Sequence, residues 1–137
     1  MKVMMLMIAN PHAAPTAPPT EEALLAMHQY NEELAKAGVL LDLGGLTPPG
    51  QGVRIHYSGT KRTVIDGPFP EAKEMVGGYA LLEVKDLAEA IEWAKRSPVM
   101  GGDATVEIRP LFDPSQFDVP GEAEERAKRQ AEKPGKA

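Results

Sequence analysis

Residues 2–9, KVMMLMIA, carry the reading that decides the fold. Every position from Val3 to Ala9 is apolar, so the run lacks the alternation of a strand with one wet face. A short run of this kind reads as a strand covered on both faces. One basic residue and so short an apolar run fit a buried strand better than the ~7–15-residue core of a secretory signal. No run approaches the ~20 apolar residues of a membrane-spanning helix. A cytoplasmic, soluble protein is the expectation.

Working outward, residues 10–20 (NPHAAPTAPPT) hold four prolines and read as a loop. Thr20, followed by Glu21 and Glu22, opens a helix with a capping hydroxyl and acids at its positive end. Leu24, Leu25, Met27, His28, Asn31, Leu34 and Ala35 recur at helical spacing, and Gly38 marks the stop. Residues 39–43 (VLLDL) read as a strand broken by Gly44 and Gly45. Residues 53–57 (VRIHY) alternate, with Val53, Ile55 and Tyr57 on one face and Arg54 and His56 on the other. Residues 58–62 (SGTKR) turn the chain, and residues 63–65 return as a hairpin partner. Residues 70–76 offer a short helical turn at best. Residues 78–84 (GYALLEV) read as a strand. Asp86 opens a second helix through Leu87, Ala90, Ile91, Trp93 and Ala94, ending before Pro98. Residues 104–111 (ATVEIRPL) form the last strand.

The order is strand, helix, strand, hairpin, strand, helix, strand. It matches an α+β, ferredoxin-like split βαβ arrangement, an antiparallel sheet with two helices on one face. The opposite sheet face then wants a cover, and a second copy across a two-fold axis supplies one. A homodimer is expected, although the proline loop or the tail could cover part of that face instead. The 137 residues fit one domain over residues 1–112, followed by a charged, flexible tail over residues 113–137. In that tail Glu122–Arg126, Glu124–Lys128 and Glu125–Arg129 are spaced for helical ion pairs but lack an apolar stripe.

Composition removes several classes of function. The net charge of −5 argues against direct binding of nucleic acid or of an anionic membrane. The absence of cysteine excludes a disulfide framework, a thiolate zinc site and a cysteine nucleophile. Three scattered histidines give no metal-ligand spacing, and Met4, Met5 and Met7 read as strand core, not a copper site. No glycine pattern leads from a strand into a helix as phosphate binding would require, so neither a cofactor nor a metal is expected.

The most distinctive stretch is residues 66–74, DGPFPEAKE. Gly67 before Pro68 makes a tight loop, and Phe69 is an apolar anchor within it. The loop holds the Asp66 carboxylate either as a site residue or as a turn residue bonding to its own backbone.

With this stretch the chain resembles the YCII-related family, in particular its DGPF-motif branch. The likeness covers residues 1–111. It rests on residues 1–8 (MKVMMLMI), 37–40 (AGVL), 66–74, 77–79 (GGY), 89–94 (EAIEWA), Pro98 and 106–111 (VEIRPL). The resemblance implies a dimeric α+β barrel with a cleft between sheet and helices holding a small organic molecule. It further implies a His–Asp pair for acid–base chemistry, carried here by Asp66 and His28. A neighbouring carboxylate favours the charged imidazole, so such a pair can relay a proton near neutral pH. His56 competes for that role, and His12 carries little weight. Arg109, Tyr79, Phe69 and Arg54 are the candidate substrate-binding residues. Arg109 shares a strand face with Glu107 and could hold a carboxylate or pair with an acid. A catalytic cleft of this kind would perform cofactor-free proton transfer or monooxygenation. The resemblance also carries a second reading, a non-enzymatic regulatory module associated with an extracytoplasmic-type sigma factor. A third is a scaffold without chemistry. Fold kinship alone does not transfer a function.

Overall fold

The computed structural model describes residues 1–9, 19–98, 104–117 and 121–132. Its strands and helices run β1 (Lys2–Ala9), α1 (Glu21–Lys36), β2 (Leu40–Gly45), β3 (Val53–Ser58), β4 (Lys61–Asp66), β5 (Met75–Glu83), α2 (Leu87–Lys95), β6 (Thr105–Pro110) and α3 (Glu122–Ala131). The main sheet has the order β2-β5-β1-β6 and is antiparallel throughout, while β3 and β4 form a separate two-stranded sheet. This is the α+β, ferredoxin-like arrangement expected from the element order, with the hairpin inserted between β2 and β5.

The central position of β1 explains its apolar run. Val3 and Met5 are fully buried with Ala80 and Leu82 of β5 on the face that meets Tyr30 and Leu34 of α1 and Ala90 of α2. Met4 and Leu6 point to the other face, opposite Leu81 and Tyr79 on one side and Arg109 and Glu107 on the other.

Local chemistry sets the helix ends. The Thr20 hydroxyl accepts from the Ala23 amide at 3.1 Å, and Asp86 accepts from the Glu89 amide at 2.9 Å. Beyond α1, Gly38 takes φ 75, the left-handed conformation that favours glycine after a helix.

Several boundaries differ from the sequence reading. The inward face of α1 runs through Met27, Tyr30 and Leu34, whereas Leu24, Leu25 and His28 are exposed. Tyr30 outcompetes its neighbours because its ring is buried while its hydroxyl donates to the Trp93 carbonyl at 2.7 Å. Residues 44–45 continue β2 instead of ending it, because β5 pairs with them from Gly78 and Tyr79. Strand β5 begins at Met75, inside the segment read as a helical turn, since Val76 and Met75 pair with Ile8 and Ala9. In keeping with its i,i+4 charge spacing, the segment Glu122–Ala131 is a helix, with Arg126 3.3 Å from Glu122. Among the described residues no helix is long and apolar enough to cross a membrane.

Candidate functional site

One irregularity and four glycines shape one end of the main sheet. Pairing of Met7 with Gly78 and of Ile8 with Val76 leaves Gly77 as an extra residue in β5, a bulge that bends the strand. Across the sheet Gly45 faces Gly78, so two helix-facing positions carry no side chain. The result is a cleft of about 960 Å³ between this end of the sheet and the two helices. A volume of this order suits a small organic ligand. Its walls are mostly apolar, with Met7, Met27, Ile91 and Val106 prominent, and Asn31, Ser97 and Thr105 supply polar atoms. Lys95 stands at the same site with its ammonium 3.4 Å from Glu92. The buried phenol of Tyr30 also lines it. Burial pushes that phenol's pKa up to about 12; Arg96 opposes this rise and Glu33 adds to it.

A second, smaller hollow of about 650 Å³ is built by the loop after Asp66. Gly67 presses against the turn at residues 49–52: its amide donates to the Gly52 carbonyl at 2.9 Å, and a Cβ there would lie 1.8 Å from the Pro49 oxygen. Glycine is therefore required by contact. The Arg54 guanidinium lies 3.9 Å over the Phe69 ring and 3.1 Å from Glu71. These contacts fix the cation and neutralise it.

The six residues singled out from the sequence fall into separate places. Arg54 and Phe69 meet in the second hollow. Tyr79 contributes to the lining of the large cleft from β5, while by register its side chain shares the far sheet face with Leu6 and Gly44. Its hydroxyl lies 3.5 Å from an Asp42 carboxylate oxygen, and a Cβ at Gly44 would come within 2.9 Å of its ring. Arg109 is exposed on that same far face, opposite Met4. Asp66 closes β4 opposite Val53 and is exposed. His28 stands on the outer side of α1, 3.1 Å from Glu32. Its position on the apolar stripe therefore did not turn it inward. Among the described residues, no hydrogen bond or ion pair joins Asp66 to His28. His56 is exposed on β3 opposite Thr63, and His12 lies outside the described residues.

Sequence reasoning missed Asn31, Ser97 and Thr105 as cleft polar groups. It also missed the glycines that open the cleft. A usable signal was the recurrence of paired glycines, 44–45 and 77–78, in two segments that become neighbouring strands.

The model of the YCII-related domain matches residues 1–114. An uncharacterized protein of Rhizobium meliloti (strain 1021) is 28% identical over 92 residues, covering 66% of this chain and 74% of that protein. The chain belongs to the YCII-related family.

Proposed function

We propose that the cleft between sheet and helices binds a small, mainly apolar organic molecule bearing one or two polar groups. The observation that carries this reading is the cleft itself, kept open by Gly45 and Gly78 and given polar atoms by Asn31, Ser97 and Thr105. Apolar walls supply affinity, and a few fixed polar groups supply orientation.

Gly45 provides the test. A Cβ at this position meets nothing within 4 Å and the residue lines the cleft, so Gly45→Leu sets its side chain into that space. Binding of a library of small aromatic and aliphatic acids, amides and alcohols would be followed by amide chemical shifts. The expected result is perturbation clustered at Asn31, Ile91 and Thr105 in the parent protein, and at least a tenfold loss of affinity in Gly45→Leu. Unchanged affinity in that variant, or shifts confined to other surfaces, would sink the cleft reading.

An acid–base reading assigns proton transfer to Asp66 and His28, both outside the lining of the cleft. The observation that favours it is the Asp66 carboxylate, exposed and without a hydrogen-bond or ion-pair partner among the described residues. Asp66→Asn should then abolish turnover of a small-molecule substrate while leaving the melting temperature within a degree or two. Loss of the fold without loss of turnover per folded molecule assigns Asp66 to the loop's structure instead.

A further inference from the structure

The polar atoms of the large cleft are not spread evenly. Three of its polar side chains flank the passage from α2 to β6: Lys95 is the last residue of α2, Ser97 follows two positions on, and Thr105 is the first residue of β6. Asn31 of α1 adds an amide. The rest of the lining is chiefly hydrocarbon, from Met7, Met27, Ile91, Val106 and their neighbours. Among the described residues that line the cleft, Lys95 is the one charged side chain, and neither Asp nor Glu stands there. Its ammonium lies 3.4 Å from Glu92, but the two side chains are 69% and 65% exposed. An ion pair so open to water is worth little and yields to a competing carboxylate. The side chains of Asn31, Ser97 and Thr105 have no hydrogen-bond partner among the described residues, which leaves their donors to a ligand.

We propose that the cleft takes a lipophilic monocarboxylate, its carboxylate at the Lys95, Ser97 and Thr105 end and its hydrocarbon body against Met7, Met27, Ile91 and Val106. This rests on the cleft as the binding site and adds the charge class of the ligand and the residue that selects it. Complementarity favours an anion. An ammonium only donates, and the hydroxyl and amide donors near it can fill the remaining lone pairs of a carboxylate. A cationic ligand would meet Lys95 with no acid in the described lining to answer it. One cation also limits the ligand to one negative charge, since a second carboxylate would be desolvated against methionine and isoleucine without a partner. Size agrees. About 960 Å³ lies at the upper end of the roughly 300–1,000 Å³ of small-molecule sites, which suits a two-ring aromatic or medium-chain aliphatic body.

Isothermal titration of the full chain at pH 7 with 2-naphthoate and with its neutral isostere 2-naphthamide separates charge from shape. The parent protein should bind naphthoate at least tenfold more tightly than naphthamide. Lys95→Met keeps an apolar stem on an exposed position and removes the charge. It should bring the two affinities within twofold of each other, with naphthamide binding unchanged, whereas Lys95→Arg should keep the preference. Gly45→Leu should weaken both probes at least tenfold. Equal affinity for the two probes in the parent, with both lost in Gly45→Leu, would overturn the acid class and leave the cleft standing. A preference for naphthoate that survives Lys95→Met would refute selection by this residue. Naphthoate binding untouched by Gly45→Leu would remove the cleft reading and the acid class together. If neither probe binds the parent while a neutral compound of the wider library does so in the cleft, the acid class alone falls; if nothing binds there, both fall.

Discussion

Glycine and aromatic contacts explain more of this protein at the level of single residues than its charges do. Gly67 is pinned by contact with the Pro49 carbonyl, a backbone atom that cannot swing aside. Gly67→Ala should therefore cost about 2 kcal/mol or more, in line with overpacking of a tight site. Denaturant melts would show it as a lower midpoint at unchanged slope. Ala at Gly45, where there is open space, should be near neutral in the same assay. Gly44 is an intermediate case, because the atom its Cβ would meet belongs to the Tyr79 ring. The charged candidates behave differently. Arg54 is held by Phe69 and Glu71, and His28 lies beside Glu32 on an exposed helix face.

Between elements, the bond from the Tyr30 hydroxyl to the Trp93 carbonyl joins α1 to α2 over the sheet. Burial holds this phenol protonated to about pH 12, above the ordinary value near 10. A pKa raised on folding means that the native state keeps its proton after the unfolded chain has lost it. The stabilisation is therefore complete below about pH 10 and is lost as pH rises toward 12. Tyr30→Phe should lower stability at neutral pH by about 1 kcal/mol for the missing hydrogen bond. It should also flatten that part of the alkaline decline between pH 10 and 12. Urea melts at pH 8, 10 and 11.5 on both proteins would check it; parallel declines would show that the phenol does not couple folding to pH. The cleft lies beside this clasp, walled by residues of both helices, so the packing that fixes α1 against α2 also sets its width.

At the scale of the whole molecule, the described residues bury one face of the main sheet, while the β3–β4 hairpin carries an exposed apolar face. The core of Val3, Met5, Leu34, Leu82 and Ala90 fills the space between sheet and helices. The far sheet face and the hairpin face lie outside it.

The sequence by itself determined the order of the elements, the family, and most of the caps and turns, because these depend on contacts within a few residues. An apolar run without alternation identified β1 as a strand with both faces apolar, and Thr20, Asp86 and Gly38 marked where helices begin and end. Only the tertiary structure decided which residues gather. The outward turn of His28 and the inward turn of Tyr30 differ by two positions on one helix, and both fit a helical stripe. Which one faces the sheet was set by packing against Trp93 and Leu82, residues more than 50 positions away. The cleft was invisible for the same reason. Gly45 and Gly78 are unremarkable as separate residues, and they make a cavity only when β2 and β5 pair in the register that sets them side by side.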